Sequence, residues 1–156
     1  MKLLDPSEYQ PLAGAVFTSI AQALAQLIPT ARVEHVGASA IPGAISKGDL
    51  DVCVIVTALD HANTVNILGD SGYVIKADTL RTPELCMLLS PRKDIELALQ
   101  VIAEGSRFEF FLQFRDALRN DPQLVEQYNE LKRSFAPKGE EAYRDGKEKF
   151  IQAVLN

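Results

Sequence analysis

Apolar positions recur at helical spacing near the start of the chain, at Leu12, Val16, Phe17, Ile20, Leu24, Leu27 and Ile28. This stripe predicts a core-facing helix over residues 6–28. Asp5 is its cap and Pro6 suits its first turn, while Pro11 is less comfortably placed. The pattern then changes to short apolar runs. These predict strands at 32–37, 49–57, Tyr73 to Lys76, Leu85 to Leu89 and Ile95 to Ile102. Pro42-Gly43 marks a turn, and Ser90-Pro-Arg-Lys93 a hairpin between the last two strands. Leu59 to Leu68 reads as a helix ended near Gly69 or Gly72. From Ser106 the pattern is helical again, through Phe108, Phe111, Leu112, Phe114 and Leu118. Asn120-Asp-Pro122 breaks it, with Asp121 as the next cap. Two more helices follow at 122–135 and 140–155, separated by Ala136-Pro-Lys-Gly139. The expected architecture is α/β: a mixed sheet of about five strands, an N-terminal helix and a helical C-terminal third. No repeat or linker divides the chain, so residues 1–156 are expected to form one domain.

Composition narrows the class. With 47% apolar and 24% charged residues the chain reads as an ordinary soluble globular protein. A chain of this length buries roughly 70% of its unfolded surface. No apolar run approaches the ~20 residues a membrane span needs. Met-Lys-Leu-Leu-Asp-Pro lacks the apolar core of a secretory signal. The expectation is a cytoplasmic protein with no membrane partner. Cys53 and Cys86 each sit in an apolar run and read as buried free thiols. The net charge is −5, and residues 105–156 balance nine basic against nine acidic side chains. All the net negative charge therefore lies in residues 1–104, which argues against a nucleic-acid partner.

The chemistry concentrates at Gly48-Asp-Leu-Asp-Val-Cys-Val-Ile-Val56. On a strand, Asp49 and Asp51 share one face, about 7 Å apart at Cα, and Leu50, Val52, Val54 and Val56 share the other. Two acids at the mouth of an apolar strand are costly to desolvate unless something neutralises them. A divalent cation, Mg²⁺ or Mn²⁺, with a phosphate-bearing substrate fits such an oxygen-rich site. Upstream, Val33-Glu-His-Val-Gly-Ala-Ser39 reads as a strand running into a glycine turn. Such a turn lets backbone N–H groups approach phosphate oxygens.

The order apolar-Gly-small, a gap of about ten residues, then Asp-apolar-Asp-apolar resembles the signature of the nucleotidyltransferase superfamily. More closely, the chain is similar to the GrpB-like family. The similarity lies in His35-Val-Gly-Ala-Ser-Ala-Ile-Pro-Gly43, Lys47 and Asp51. It continues through Phe114-Arg-Asp-Ala-Leu-Arg119, Tyr128-Asn-Glu-Leu-Lys132, Tyr143-Arg-Asp-Gly-Lys147 and Phe150-Ile151. It covers nearly the whole chain and implies a nucleotidyltransferase-like fold more firmly than a reaction. Two departures stand out. Ala38 occupies the position after the turn glycine where the superfamily has Gly or Ser. Ala98 and Gln100 stand where GrpB-like chains commonly carry His. Asp49, in turn, supplies the first acid of the superfamily pair, which GrpB-like chains often lack.

The resemblance adds candidate roles. Asp49 and Asp51 would be metal ligands and catalytic, with Glu96 as the third carboxylate and Asp94 as the second choice for it. Gly37, Ser39 and Lys47 would bind phosphate. Each also has a plain reading: a turn glycine, a capping serine, a solvated lysine. Arg115, Arg119, Lys132, Tyr143 and Lys147 stand at family positions on the C-terminal helices; of these Arg115 and Lys147 would join the pocket wall, although charged helices carry many solvated residues. His35 reads as a satisfied structural histidine and His61 as a surface residue. The functional expectation is metal-dependent transfer of a nucleotidyl group from a nucleoside triphosphate to an unknown small-molecule or protein acceptor. The alternative is a non-catalytic nucleotide- or metabolite-binding module on the same fold. A metal-dependent phosphohydrolase is a weaker third. The sequence leaves the oligomeric state open.

Overall fold

The computed structural model describes residues 1–156. Helix α1 (Pro6–Leu27) precedes strands β1 (Arg32–Val36) and β2 (Leu50–Val56). Then come helix α2 (His61–Asp70) and strands β3 (Val74–Ile75), β4 (Leu85–Leu89) and β5 (Leu97–Ala103). Helices α3 (Phe110–Arg119), α4 (Pro122–Phe135) and α5 (Glu140–Leu155) complete the chain. The sheet runs β1-β2-β5-β4-β3. Its central pair, β2 and β5, is parallel, and the other pairs are antiparallel. No helix is long and apolar enough to cross a membrane.

Helix starts follow from local chemistry. The Asp5 amide donates to the Glu8 carboxylate at 2.9 Å, and Pro6 fills a position with no intrahelical N–H bond to lose. Asp121 Oδ1 accepts from Gln123 and Leu124 amides at 3.0 and 3.3 Å, which fixes the start of α4.

The two faces of the sheet have different fates. Leu50, Val52, Val54 and Val56 alternate with residues of the other face and pack with Leu97, Leu99 and Val101 under α1 and α2. This is the main core. On the opposite face, Cys53, Ile55 and Ile102 pack under Phe108 and Leu112. That cover reaches only part of the sheet. A third cluster, with Ile41, Phe114, Leu118, Val125 and Tyr128 at its centre, joins α3 and α4 to the segment after β1. Asp51 and Gln100 are left facing the space between these helices and the sheet. Cys53 and Cys86 are buried and free, as their apolar runs imply.

Four details depart from the sequence reading. β3 spans two residues because the Tyr73 amide donates to Leu68 O at 3.1 Å, holding it to the end of α2. β5 begins at Leu97, so Glu96 lies before the strand, although its carbonyl accepts the Leu50 amide at 2.8 Å. Asp49 also precedes its strand, after Gly48 at φ +99°. His61 is not a surface residue. α2 lies over the sheet, leaving His61 5% exposed with Nε2 2.9 Å from Val101 O.

His35 is the structural histidine expected. Its ring stacks on Phe17 at 4.7 Å between centroids, and its Nε2 shares a hydrogen bond with Ser39 Oγ at 2.7 Å. Burial, then the charges of Arg119 and Arg115, lower its pKa from 6.5 to about 4. The neutral ring is therefore the native form. Between these pKa values the unfolded chain binds the extra proton, so His35 costs stability as pH falls from 6.5 towards about 4. We predict that wild type loses on the order of 1–2 kcal/mol more than His35→Gln over this window, a figure reduced for solvent screening. Denaturant melts at several pH values measure it. Parallel pH profiles for the two proteins would refute it.

Candidate functional site

A cavity of about 300 Å³ opens between the uncovered part of the sheet and the helical third. Its polar wall carries Asp49 and Asp51 from the head of β2, and Ser46 and Lys47 from the loop before it. Gln100 of β5 and the Gly37-Ala38 turn adjoin these. Facing them are Lys132 of α4 and Lys147 of α5. Phe110, Phe111 and Phe114 of α3, with Tyr128, Tyr143 and Ile151, form the apolar end.

The acids are held by a heavily clamped loop. Tyr9 and Gln10 of α1 donate to Ala44 O at 2.8 Å and to Ile41 O at 2.9 Å. From the other side Asn129 of α4 accepts the Ile45 amide at 3.0 Å and donates to Gly43 O at 2.9 Å. Lys132 Nζ donates to Ile45 O at 2.6 Å. Leu4 and Ser46 exchange backbone hydrogen bonds of 2.7 and 3.2 Å. Ser46 Oγ then accepts the Gly48 amide at 2.9 Å and donates to Asp49 Oδ1 at 3.2 Å. Few degrees of freedom remain to the segment that delivers Asp49.

Gly37 does two things. Its φ of 73° and ψ of −176° belong to a region open to little besides glycine. A Cβ there would sit 2.7 Å from Asp51 Oδ2. The missing side chain is thus the space the Asp51 carboxylate occupies. That carboxylate makes no hydrogen bond or ion pair with protein groups. Burial, followed by the charge of Asp49, pushes its pKa well above the carboxylate range, against the pull of Lys147, Lys47 and Lys132. Lys132 is 1% exposed. Burial and the neighbouring charge of Lys147 bring its pKa down to about 7, and its Nζ lies 4.0 Å over the Tyr128 ring.

Of the residues expected from the sequence, Asp49, Asp51, Gly37, Lys47 and Lys147 meet in this cavity. Three do not. Ser39 is buried and spends its hydroxyl on His35. Arg115, 8% exposed, is held by Glu34 at 2.7 Å, Asp116 at 2.9 Å and the His35 carbonyl at 3.0 Å. It braces α3 against β1. Glu96 precedes β5 and borders two neighbouring clefts, one with Asp49 and one with Asp49 and Asp51, instead of this cavity. No three His, Cys, Asp or Glu residues group as metal ligands, so a carboxylate triad of Asp49, Asp51 and Glu96 is not assembled.

Lys132, Tyr128 and Tyr143 join the site unpredicted as pocket residues. A signal for them lies in the spacing. Tyr128/Lys132 and Tyr143/Lys147 repeat one Tyr-x-x-x-Lys pattern on successive helices. That spacing puts each pair on one helix face, and each lysine lies over its tyrosine, at 4.0 and 5.2 Å.

Sheet, paired acids and flanking helices define a nucleotidyltransferase-like fold. Accordingly, the structure is similar to that of the Cid1 poly(U) polymerase with Mg 3′-dATP bound. The TM-score is 0.51 at 15% identity, over 80% of this chain and 42% of that one. Within this class the chain belongs to the GrpB family, whose model, described as GrpB protein, matches residues 6–156. It is 46% identical over 155 residues to a UPF0157 protein of Vibrio cholerae, covering 99% of this chain and 82% of that one. A UPF0157 protein of Halalkalibacterium halodurans is 28% identical, over 95% of this chain and 78% of the relative. The crystal structure of conserved protein GrpB from Enterococcus faecalis matches with a TM-score of 0.74 at 22% identity, over 99% of this chain and all of that one.

Two variants test this geometry. Gly37→Ala is predicted to destabilise the fold by about 2–4 kcal/mol, from backbone strain and the clash with Asp51. The cost is smaller in an Asp51→Ala background, so a double-mutant cycle reads out the contact. Additive effects would show that the clash does not matter. For Asp51 the raised pKa means that the native state holds a proton the unfolded state has lost. Its stabilising effect is present below the ordinary Asp value and is lost as pH rises through the folded value. Asp51→Asn is therefore predicted to melt higher than wild type at pH 8, by on the order of 1–2 kcal/mol, with the gain fading near pH 4. Equal melting at pH 8 would contradict the buried charge.

Proposed function

We propose that this cavity binds a nucleoside triphosphate through a divalent cation held by Asp49 and Asp51, and that the protein transfers its nucleotidyl group to an acceptor. The observation that carries the reading is the unpartnered Asp51 carboxylate, set beside Asp49 in a cavity that lysines also line. The donor set suits Mg²⁺ or Mn²⁺ of a particular kind. Mg²⁺ is commonly bound by one or two carboxylates and completed by water and substrate phosphates, with no full protein cage. Two acids without a third fit that substrate-completed mode. The cation, when bound, would neutralise the acids and stabilise charge on the transferring phosphoryl group. Lys47 and Lys147 would take phosphate oxygens as point charges. Phe110 and Phe111 offer a planar base an apolar wall.

A second reading, a non-catalytic nucleotide- or metabolite-binding module, draws on one observation. On β5 Ala98 pairs with Asp51 and Gln100 is the next residue on the same face, in the same cavity, so the strand beside the acids brings no carboxylate to them.

Calorimetric titration of nucleoside triphosphates with Mg²⁺ or Mn²⁺ tests the first reading. Wild type is predicted to bind the nucleotide only with the cation, and the cation only weakly without the nucleotide. Asp49→Asn/Asp51→Asn binds neither. Equal binding by both proteins, or none by either, would reject the metal-assisted site. Binding without pyrophosphate release in the presence of candidate acceptors would favour the module.

A further inference from the structure

The acceptor need not be a second molecule. At about 300 Å³ the cavity is at the lower end of ligand sites. A nucleotide reaching from Asp51 to the Phe110 wall leaves little room beside it. The side chains of the wall are then the nearest nucleophiles.

These are not equivalent. The Ser46 hydroxyl is committed to the Gly48 amide and to Asp49. Burial pushes both phenols up, that of Tyr143 to about 12, so neither is ionised near neutrality. Lys47 is exposed and Lys147 half-buried, so water competes for both. Lys132 differs in its burial and in its fixed position. It is 1% exposed, and it forms none of the ion pairs in the structure. Its nitrogen is fixed by one hydrogen bond, to Ile45 O at 2.6 Å, on the rigid loop that also delivers Asp49. The Tyr128 ring holds it from a second side, 4.0 Å away. An amine held this way, lining the same cavity as Asp49 and Asp51, keeps valences free for a substrate. Desolvation of a lysine also favours the nucleophilic neutral form.

Resting on nucleotide binding at the paired acids, we propose that Lys132 is itself the acceptor of the nucleotidyl group. Nζ attacks the α-phosphorus of the bound nucleoside triphosphate. An N–P bond forms as the bond from the α-phosphorus to the α,β-bridging oxygen breaks. Pyrophosphate leaves and takes up the amine proton. The product is a phosphoramidate joining Lys132 to a nucleoside monophosphate, with no redox change and no further reactant.

The test incubates the full chain and Mg²⁺ with each common nucleoside triphosphate, radiolabelled at the α- or the γ-phosphorus. The protein is then denatured and separated, and the adduct is mapped by mass spectrometry. The expected result is label from the α-position and none from the γ-position, labile in acid, stable in alkali, and located on Lys132. Label per bound nucleotide falls to background in Lys132→Met. It does the same in Lys132→Arg, which keeps a cation and a donor for Ile45 O should the methionine variant fail to fold. Nucleotide bound without attached label, or label on another residue, overturns the proposal and leaves the binding site standing. Failure of wild type to bind any nucleoside triphosphate overturns both.

Discussion

A carboxylate stands at the head of an apolar strand, and room for it exists because residue 37 has no side chain. Much else follows from that contact. The Gly37 turn must keep a backbone conformation that other residues resist. The loop from Ile41 to Asp49 must hold its shape, because a small displacement would close the space or expose the acid. It is accordingly tied by α1 on one side and by α4 on the other. The helical third is thus more than a cover for the sheet. Through Asn129 and Lys132 it helps to set the site.

The same arrangement holds charge where charge is costly. Asp51 is burdened by burial and by Asp49, and Lys132 by burial and by Lys147. Neither satisfies the other by direct contact. Lys132 is held by Ile45 O, whereas proteins seldom leave a carboxylate such as that of Asp51 unpaired unless something else completes it. Conversely, Arg115 and Ser39 are engaged by protein partners and brace the scaffold.

Much of this was legible in the sequence. Alternation around Asp51 gave the buried strand and its faces, and helical spacing gave α1, α4 and α5 to within a residue, while α3 starts four residues after the Ser106 expected. Asp49, Gly37, Lys47 and Lys147 were read from local pattern and family resemblance. Arg115 lies outside the cavity because Glu34, distant in sequence, reaches it through tertiary folding, and Ser39 because His35, four residues before it, takes its hydroxyl. Glu96 lies outside because alternation was extended two residues before the point where β5 begins. Lys132 was hidden by its type, since lysines are rarely buried. His61 was placed outside because its helix was too short to show which face meets the sheet.

The cavity draws its walls from near both ends of the chain, with Gly37 and Asp51 on one side and Lys147 and Ile151 on the other. Packing of α5 is close, since a Cβ at Gly146 would lie 2.9 Å from the Phe135 ring. A molecule lodged between Asp51 and Lys147 would therefore act as a non-covalent staple across roughly a hundred residues of sequence. It would slow the opening of the last helix and shield it from proteases, so occupancy of the site would govern how long the C-terminus survives.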